Sequence, residues 1–178
     1  MSHPNRTYAR IETARKGHAR ILPPGQTKPL FSGCAACAVG LPARLDPGLP
    51  EAIVHTLRAM DEKLTAILNL LNERSLADDF PIPVLVHDIS GAGLRMSSPH
   101  AFAIGMQVEI VVVLNAFPLQ LAGTLGTIVR RDQLDDTALW AVEFTDIRES
   151  EREKIIQFVF QEQRQSLRAQ RQTTTEGA

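Results

Sequence analysis

The sequence predicts a mainly β protein: a small antiparallel β-barrel, with a long helix inserted before one of its strand turns and a second helix at its C-terminal end. Short runs of alternating apolar and polar residues recur over residues 79–146, and turn residues separate them, which is typical of a barrel. A strict heptad pattern within residues 49–76 predicts the inserted helix. A chain of 178 residues has the length of one domain with an appendage.

The composition excludes several classes of protein. A formal net charge of −1 gives no overall field that would steer the chain towards nucleic acid or a membrane. The first twenty residues lack the apolar core of a signal peptide, and the apolar run at 30–41 is too short to span a bilayer. Two cysteines do not make a disulfide framework. We therefore expect a cytoplasmic protein.

Residues 1–28 are rich in arginine, glycine and proline and show no clear period, so we expect a flexible basic arm. Its only acid in the first twenty residues is Glu12. Arg6 and Arg10 form an R-x-x-x-R pair within this arm. In so basic a segment such a pair also arises by chance, and a purely solvated tail is the alternative.

Residues 29–48 predict one strand, or two short ones, followed by a turn. Cys34 and Cys37 form a single C-x-x-C. A zinc site would need two more ligands at matching spacing, and a redox pair would need a βαβ context. Neither follows in the sequence, so we interpret both cysteines as small buried residues. Redox sensing through them remains a further alternative.

Residues 49–76 predict a helix with Pro50 in its first turn, where the missing N–H costs nothing. Its apolar residues follow a heptad seam, with leucine at position a and isoleucine or methionine at position d. The seam consists of Ile53, Leu57, Met60, Leu64, Ile67 and Leu71. Leucine at a with isoleucine at d favours four-stranded assemblies.

Two interpretations of this seam compete. The helix can pack on the barrel of its own chain, or it can associate with the same helix in other copies. We favour association, because the seam is strict and a small barrel has little free surface for so long a helix. Asp78, Asp79, Pro81 and Pro83 then end the helix and begin the barrel, which we place with its final helix at residues 79–171.

Residues 84–96 form two strand segments around a polar, glycine-rich turn at 88–93. The residues that fit one face of each segment are Val84 and Val86 before the turn and Leu94 and Met96 after it. In the turn, Asp88 and Ser90 can bond to backbone groups, and Gly93 can adopt a positive φ and allow a ligand to approach closely. The turn therefore lies at the lip of the sheet and suits a small-ligand site.

Three further strands and a helix complete the predicted domain. The strands are Met106–Leu114, Leu119–Arg131 and Ala138–Phe144. Ser150 and Glu153 fit a capping box for a helix over 151–171, whose apolar side would lie on the barrel. Residues 172–178 are expected to be disordered.

The motif D-x-S-x-x-G at Asp88, Ser90 and Gly93, with a strand on each side, resembles the second signature of PilZ domains. The downstream strands and the closing helix follow the order of that family. Arg6 and Arg10 match its first signature, R-x-x-x-R, although the gap from Arg10 to Asp88 is longer than is usual. The heptad helix resembles the insert of atypical, tetramer-forming PilZ proteins.

This resemblance implies a receptor for the bacterial messenger cyclic di-GMP, with no other cofactor. Arg6 and Arg10 would clamp phosphate and purine, since an arginine fork fits phosphate and the O6 and N7 edge of guanine. Asp88 would accept from guanine N1–H and amino groups, Ser90 would add a hydrogen bond, and Gly93 would keep the turn open. The arm would become ordered over the ligand and signal to an unknown protein partner in a motility, biofilm or virulence type of output.

Two other functional classes bear on this expectation. No catalytic motif is present in the sequence, so we do not expect an enzyme. The main rival is a PilZ-like oligomeric scaffold without nucleotide binding, for example in pilus assembly. A homo-oligomer, with a tetramer favoured, is expected under either interpretation.

Overall fold

The computed structural model describes residues 8–23, 25–32, 48–116 and 119–175. Six of its strands form a closed barrel in the order β1-β2-β3-β6-β5-β4, in which all neighbours are antiparallel. The elements are β1 (Arg10–Ile21), α1 (Glu51–Asp79), β2 (Ile82–Ser90), β3 (Gly93–Ser97), β4 (Gln107–Ala116), β5 (Leu119–Leu134), β6 (Thr137–Asp146) and α2 (Glu149–Thr175). The predicted antiparallel barrel is therefore confirmed.

Strand β1 corrects the prediction of a flexible arm over residues 1–28. From Arg10 onward the chain pairs with β2, and its second half also pairs with β4 and closes the barrel. Lys16 and Arg20 point outward, whereas Gly17 and Ala19 face the interior and are buried. The alternation is present in the sequence, but small inward residues give it a weak apolar signal. Residues 1–7, including Arg6, lie outside the described part of the chain.

The strand predicted within residues 29–48 is absent from the described residues of that segment, because residues 29–32 belong to no strand. Residues 33–47, including Cys34 and Cys37, lie outside the description, so the interpretation of these cysteines stays a prediction.

The barrel interior and one side of α2 form a single apolar core. Inward residues of the six strands pack with Ile155, Phe158 and Val159 of α2. The start of β1 pairs with the end of β2, next to the 88–93 turn, and Arg15 of β1 lies over the Phe158 ring of α2. Helix α2 therefore closes the end of the barrel that carries this turn. Burial of each such side chain contributes about 1.5–3 kcal/mol as an upper bound.

Helix α2 differs from its prediction at both ends. The backbone N–H groups of Glu151 and Arg152 donate to the carbonyl of Arg148, so the helix begins at Glu149 and Ser150 is not its cap. It continues to Thr175, so the expected disorder of residues 172–178 is wrong up to that residue. No glycine or proline interrupts this stretch before Gly177, which explains the extension. Neither helix in the described part of the chain has the length and apolarity needed to cross a membrane.

Helix α1 touches the barrel through its C-terminal end. Leu76 and the following Phe80 pack with Phe31 on the outer face of β4 and β5. By contrast, five of the six heptad-seam side chains are between 47% and 59% exposed, and Leu57 is partly buried. Within one chain the seam therefore does not pack on the barrel.

A buried carboxylate fixes the segment that follows β1 to this same outer face. Glu109 of β4 is fully buried and accepts hydrogen bonds from Arg20 Nε at 2.7 Å and from the backbone N–H groups of Leu30 and Phe31 at 3.0 and 2.8 Å. Arg148 adds a hydrogen bond to the carbonyl of Ser32 at 3.0 Å. This clamp holds the Phe31 ring over Gly123, where any Cβ would lie 2.2 Å from the ring.

We expect Glu109→Gln to lower the free energy of unfolding by about 3–5 kcal/mol, because it leaves the Arg20 cation largely buried without its partner charge. Urea denaturation measures this loss. The control is Asp132→Asn, which removes a carboxylate from the more exposed pair with Arg130 and should cost about 0–1 kcal/mol. Equal losses for the two variants would contradict a structural role specific to Glu109.

Candidate functional site

Asp88 lies on the outer face of the barrel at the end of β2. The pairing of β2 with β3 shifts register between Val86 and Asp88, and the shift sets Asp88 opposite Arg95. Val86 and Ile89, on either side of the shift, both belong to the interior core. The irregularity thus presents a carboxylate on the outside of the barrel, just before the 88–93 turn.

Two arginines cover Asp88 so that it is fully buried. Arg10 Nη1 lies 3.1 Å from Asp88 Oδ1, and Arg95 Nε donates to Oδ2. The Arg10 contact has ion-pair distance without hydrogen-bond geometry, so Oδ1 has no hydrogen-bond donor among the described residues. The Arg10 side chain is 38% exposed, so its guanidinium is accessible from solvent.

A further arginine lies on the same outer face. Arg130 of β5 pairs with Asp132, with 2.6 Å between Nε and Oδ1. The hydrogen bond to Asp132 and the charge of Asp132 raise the pKa of Arg130 above its usual value, and the Asp88 carboxylate adds to this while burial opposes it. The surface around the 88–93 turn therefore carries three arginines and two carboxylates, which suits an anionic ligand that also donates hydrogen bonds.

Ser90 and Gly93 shape the turn itself. Ser90 Oγ donates to the carbonyl of Gly93 at 3.1 Å and accepts from the N–H of Ala92 at 3.4 Å. Gly93 does not have a positive φ, so that part of the prediction is wrong. The position needs glycine because a Cβ there would lie 2.3 Å from the carbonyl oxygen of Val142 in β6. The close approach at Gly93 is therefore made by the neighbouring strand β6.

The site contains residues that sequence reasoning missed. The ring of Tyr8 packs on Gly91, where a Cβ would lie 2.6 Å from its Cδ1. Arg152 of α2 donates from Nη1 to Tyr8 Oη at 3.0 Å, and its guanidinium carbon lies 5.6 Å from the centre of the ring. Alternation in β3 could have indicated Arg95, since it faces the same side as Asp88. No local signal indicates Arg152, because only the packing of α2 brings it to the turn.

Concave regions lie at both ends of β2. A small cavity of about 80 Å³ adjoins the 88–93 turn between Tyr8, Gly91 and α2. A larger groove of about 560 Å³ lies at the opposite end of β2, between Lys16, Leu85 and Ser97. The larger groove is therefore separate from Asp88, and the motif residues that the structure describes do not line it.

Comparisons with known proteins agree with this architecture. The family model described as the PilZ domain matches residues 58–161, more than half of the chain. A solved structure from Xanthomonas campestris, described as a tetrameric PilZ domain self-assembled through an unusual helical bundle, has a TM-score of 0.58 and 15% identity over 92% of each chain.

A second solved structure, the Bacillus subtilis inhibitor of motility MotI/DgrA, has a TM-score of 0.52 and 11% identity. The match covers 90% of this chain and 52% of that one, so the chain spans about half the length of the motility inhibitor. A search among curated protein sequences finds no match.

We expect Gly93→Ala to lower the free energy of unfolding by about 1–3 kcal/mol, because the added methyl group meets a backbone carbonyl that cannot rotate away. Urea denaturation measures the change. Ala92→Ser, at an exposed position in the same turn, should stay within about 0.5 kcal/mol of the parent protein. Two equally stable variants would show that β3 and β6 can separate at this point without cost.

Proposed function

The chain belongs to the PilZ domain family, and from this premise we propose that it binds cyclic di-GMP at the corner of the barrel formed by Arg10 and the 88–93 turn. Members of the family are binding and effector domains, generally cyclic di-GMP receptors. In this proposal the nucleotide changes the conformation of the N-terminal segment, and a protein partner detects the change.

The contact between Arg10 and Asp88 is the observation that carries the proposal. The two residues belong to two motifs that lie far apart in the sequence, yet their side chains approach to 3.1 Å. Insertion of α1 between β1 and β2 accounts for the long gap between the motifs. The fold thus supports a joint site in spite of that gap.

The chemistry of the corner fits a guanine dinucleotide. A guanine presents N1–H and amino donors side by side, and a carboxylate can accept both. Asp88 Oδ1 is buried and has no hydrogen-bond donor among the described residues, so it is suited to receive one of them. A phosphate can replace Asp88 as the partner of Arg10, which keeps a paired charge throughout.

The remaining motif residues have different parts in this proposal. Ser90 and Gly93 act through the shape of the turn, because the hydroxyl bonds within the turn and the glycine packs against β6. Arg6 would extend the arginine clamp beyond Arg10. Because Arg10 already belongs to β1, any ordering of the arm over the ligand is limited to the residues that precede it.

Isothermal titration calorimetry with cyclic di-GMP tests the proposal. We expect Arg10→Ala and Asp88→Ala to weaken binding by about 10-fold or more, because each removes a hydrogen bond to a charged group. Circular dichroism would establish that both variants are folded, and Arg58→Ala, at an exposed position on α1, is the matched control.

GMP, which has one phosphate and one guanine, serves as the comparison ligand and should bind more weakly than cyclic di-GMP. If Arg10→Ala and Asp88→Ala bind as well as the parent, the site assignment is wrong. If the parent itself gives no heat with cyclic di-GMP, the oligomeric scaffold becomes the better account of the chain.

We also propose that α1 joins copies of this chain through its heptad seam. The seam is apolar and exposed within one chain, which is costly unless a second surface covers it. The similar Xanthomonas campestris structure is described as assembling through a helical bundle, which supports this proposal. A four-helix arrangement suits the leucines at a and the isoleucines at d.

Light scattering tests the association. Leu64→Lys should reduce the mass of the assembly, because it places a charge in the centre of the seam. His55→Lys is the matched control: it introduces the same residue at an exposed position of α1 off the seam and should leave the mass unchanged. An unchanged mass for Leu64→Lys would mean that the seam does not hold copies together.

A further inference from the structure

Arg152 of α2 differs from the other partly buried arginines. Among residues whose side chains the structure describes, four arginines are partly buried: Arg15, Arg20, Arg95 and Arg152. The first three lie against the carboxylates of Glu162, Glu109 and Asp88 respectively. No carboxylate in the described part of the chain lies within ion-pair distance of Arg152.

The contacts that Arg152 does make are with the nucleotide corner. Its Nη1 donates to Tyr8 Oη at 3.0 Å and approaches the carbonyl oxygen of Gly91 at 3.4 Å. Tyr8 lies between the two arginines of the R-x-x-x-R motif, and Gly91 lies within the 88–93 turn. Arg152 therefore touches both sequence motifs from a third element of the fold.

These contacts leave most of the guanidinium's bonding capacity unused. A guanidinium has five N–H donors in a planar fork, and the two bonds given above both start from Nη1. A hydroxyl and a backbone carbonyl do not neutralise the charge, and a partly buried cation without an opposite charge is costly. Such a group is suited to an anion that arrives with the ligand.

We propose that Arg152 is a further arginine of the nucleotide site and binds a phosphate group of cyclic di-GMP, an inference that rests on the function proposed above. Arg10 starts from β1 and lies against Asp88, whereas Arg152 starts from α2 and lies against Tyr8. Two arginines on separate elements suit a ligand with two separate phosphates better than a mononucleotide. Arg152 thus contributes to the selection of a cyclic dinucleotide over GMP.

The position of Arg152 also links the ligand to α2. Three residues after it, Ile155 enters the barrel core, and further along Glu162 pairs with Arg15 of β1 at 3.0 Å. A phosphate held by Arg152 therefore acts on a helix that is attached to the barrel further along its length. Occupancy of the site and the position of α2 become coupled through one side chain.

Calorimetry with cyclic di-GMP and with GMP tests this assignment on four variants of the full chain. Arg152→Gln should weaken cyclic di-GMP binding by about 10- to 100-fold, while Arg152→Lys should retain part of the affinity because it keeps the charge. Tyr8→Phe removes the hydroxyl that Arg152 contacts and keeps the ring, so it should lose clearly less affinity than Arg152→Gln. Arg164→Gln, at an exposed position on the same helix, is the control and should bind as the parent.

Salt dependence provides a second measurement that a purely structural role would not change. Raising the ionic strength should weaken binding less in Arg152→Gln than in the parent, because one charge pair with the ligand is gone. The preference for cyclic di-GMP over GMP should shrink in the same variant.

The outcomes separate this inference from the proposed function. If the parent binds and Arg152→Gln binds equally well, Arg152 is not part of the site and the receptor function stands. If Tyr8→Phe loses as much affinity as Arg152→Gln, with unchanged salt dependence in both, Arg152 acts by positioning Tyr8 and the phosphate assignment is wrong. If the parent does not bind cyclic di-GMP, the receptor function and this inference fail together.

Discussion

The ion pair between Arg10 and Asp88 is the constraint on which the architecture of the site depends. A carboxylate on the outer face of a barrel is normally solvated, yet Asp88 is fully buried because Arg10 and Arg95 lie over it. Removal of one charge from such a group leaves the other uncompensated, which is strongly destabilising. The same interaction therefore holds the start of β1 against β2 and fixes the carboxylate at the corner where we propose that the ligand binds.

Much of the barrel could be predicted from alternation, and the exceptions have a physical cause. The strands that carry large apolar residues inward, such as Val84 and Val86 in β2, are visible in the sequence. Strand β1 was missed because Gly17 and Ala19 supply its inward positions while Lys16 and Arg20 point outward. Its stability comes from pairing with two neighbours, which local sequence does not show.

The site was predictable only as far as its motifs reach. The resemblance placed Asp88, Ser90 and Arg10 in one site, and the structure brings Arg10 and Asp88 into contact. It gave the wrong reason for Gly93, since the carbonyl that excludes a side chain there belongs to β6. The partnership of Tyr8 with Arg152 depends on where α2 docks and has no periodic signature.

The second apolar cluster has a consequence for how this domain can diversify. Phe31, at the last described residues before the inserted segment, and Phe80, just after α1, both pack in that cluster on the outer face of β4 and β5. The inserted segment that contains α1 thus leaves the barrel and returns to it at one patch. Glu109 holds the end that leaves, because it accepts a hydrogen bond from the Phe31 N–H. The inserted helix can gain or lose whole heptads during evolution without altering strand register, so the proposed assembly and the proposed ligand site can evolve independently.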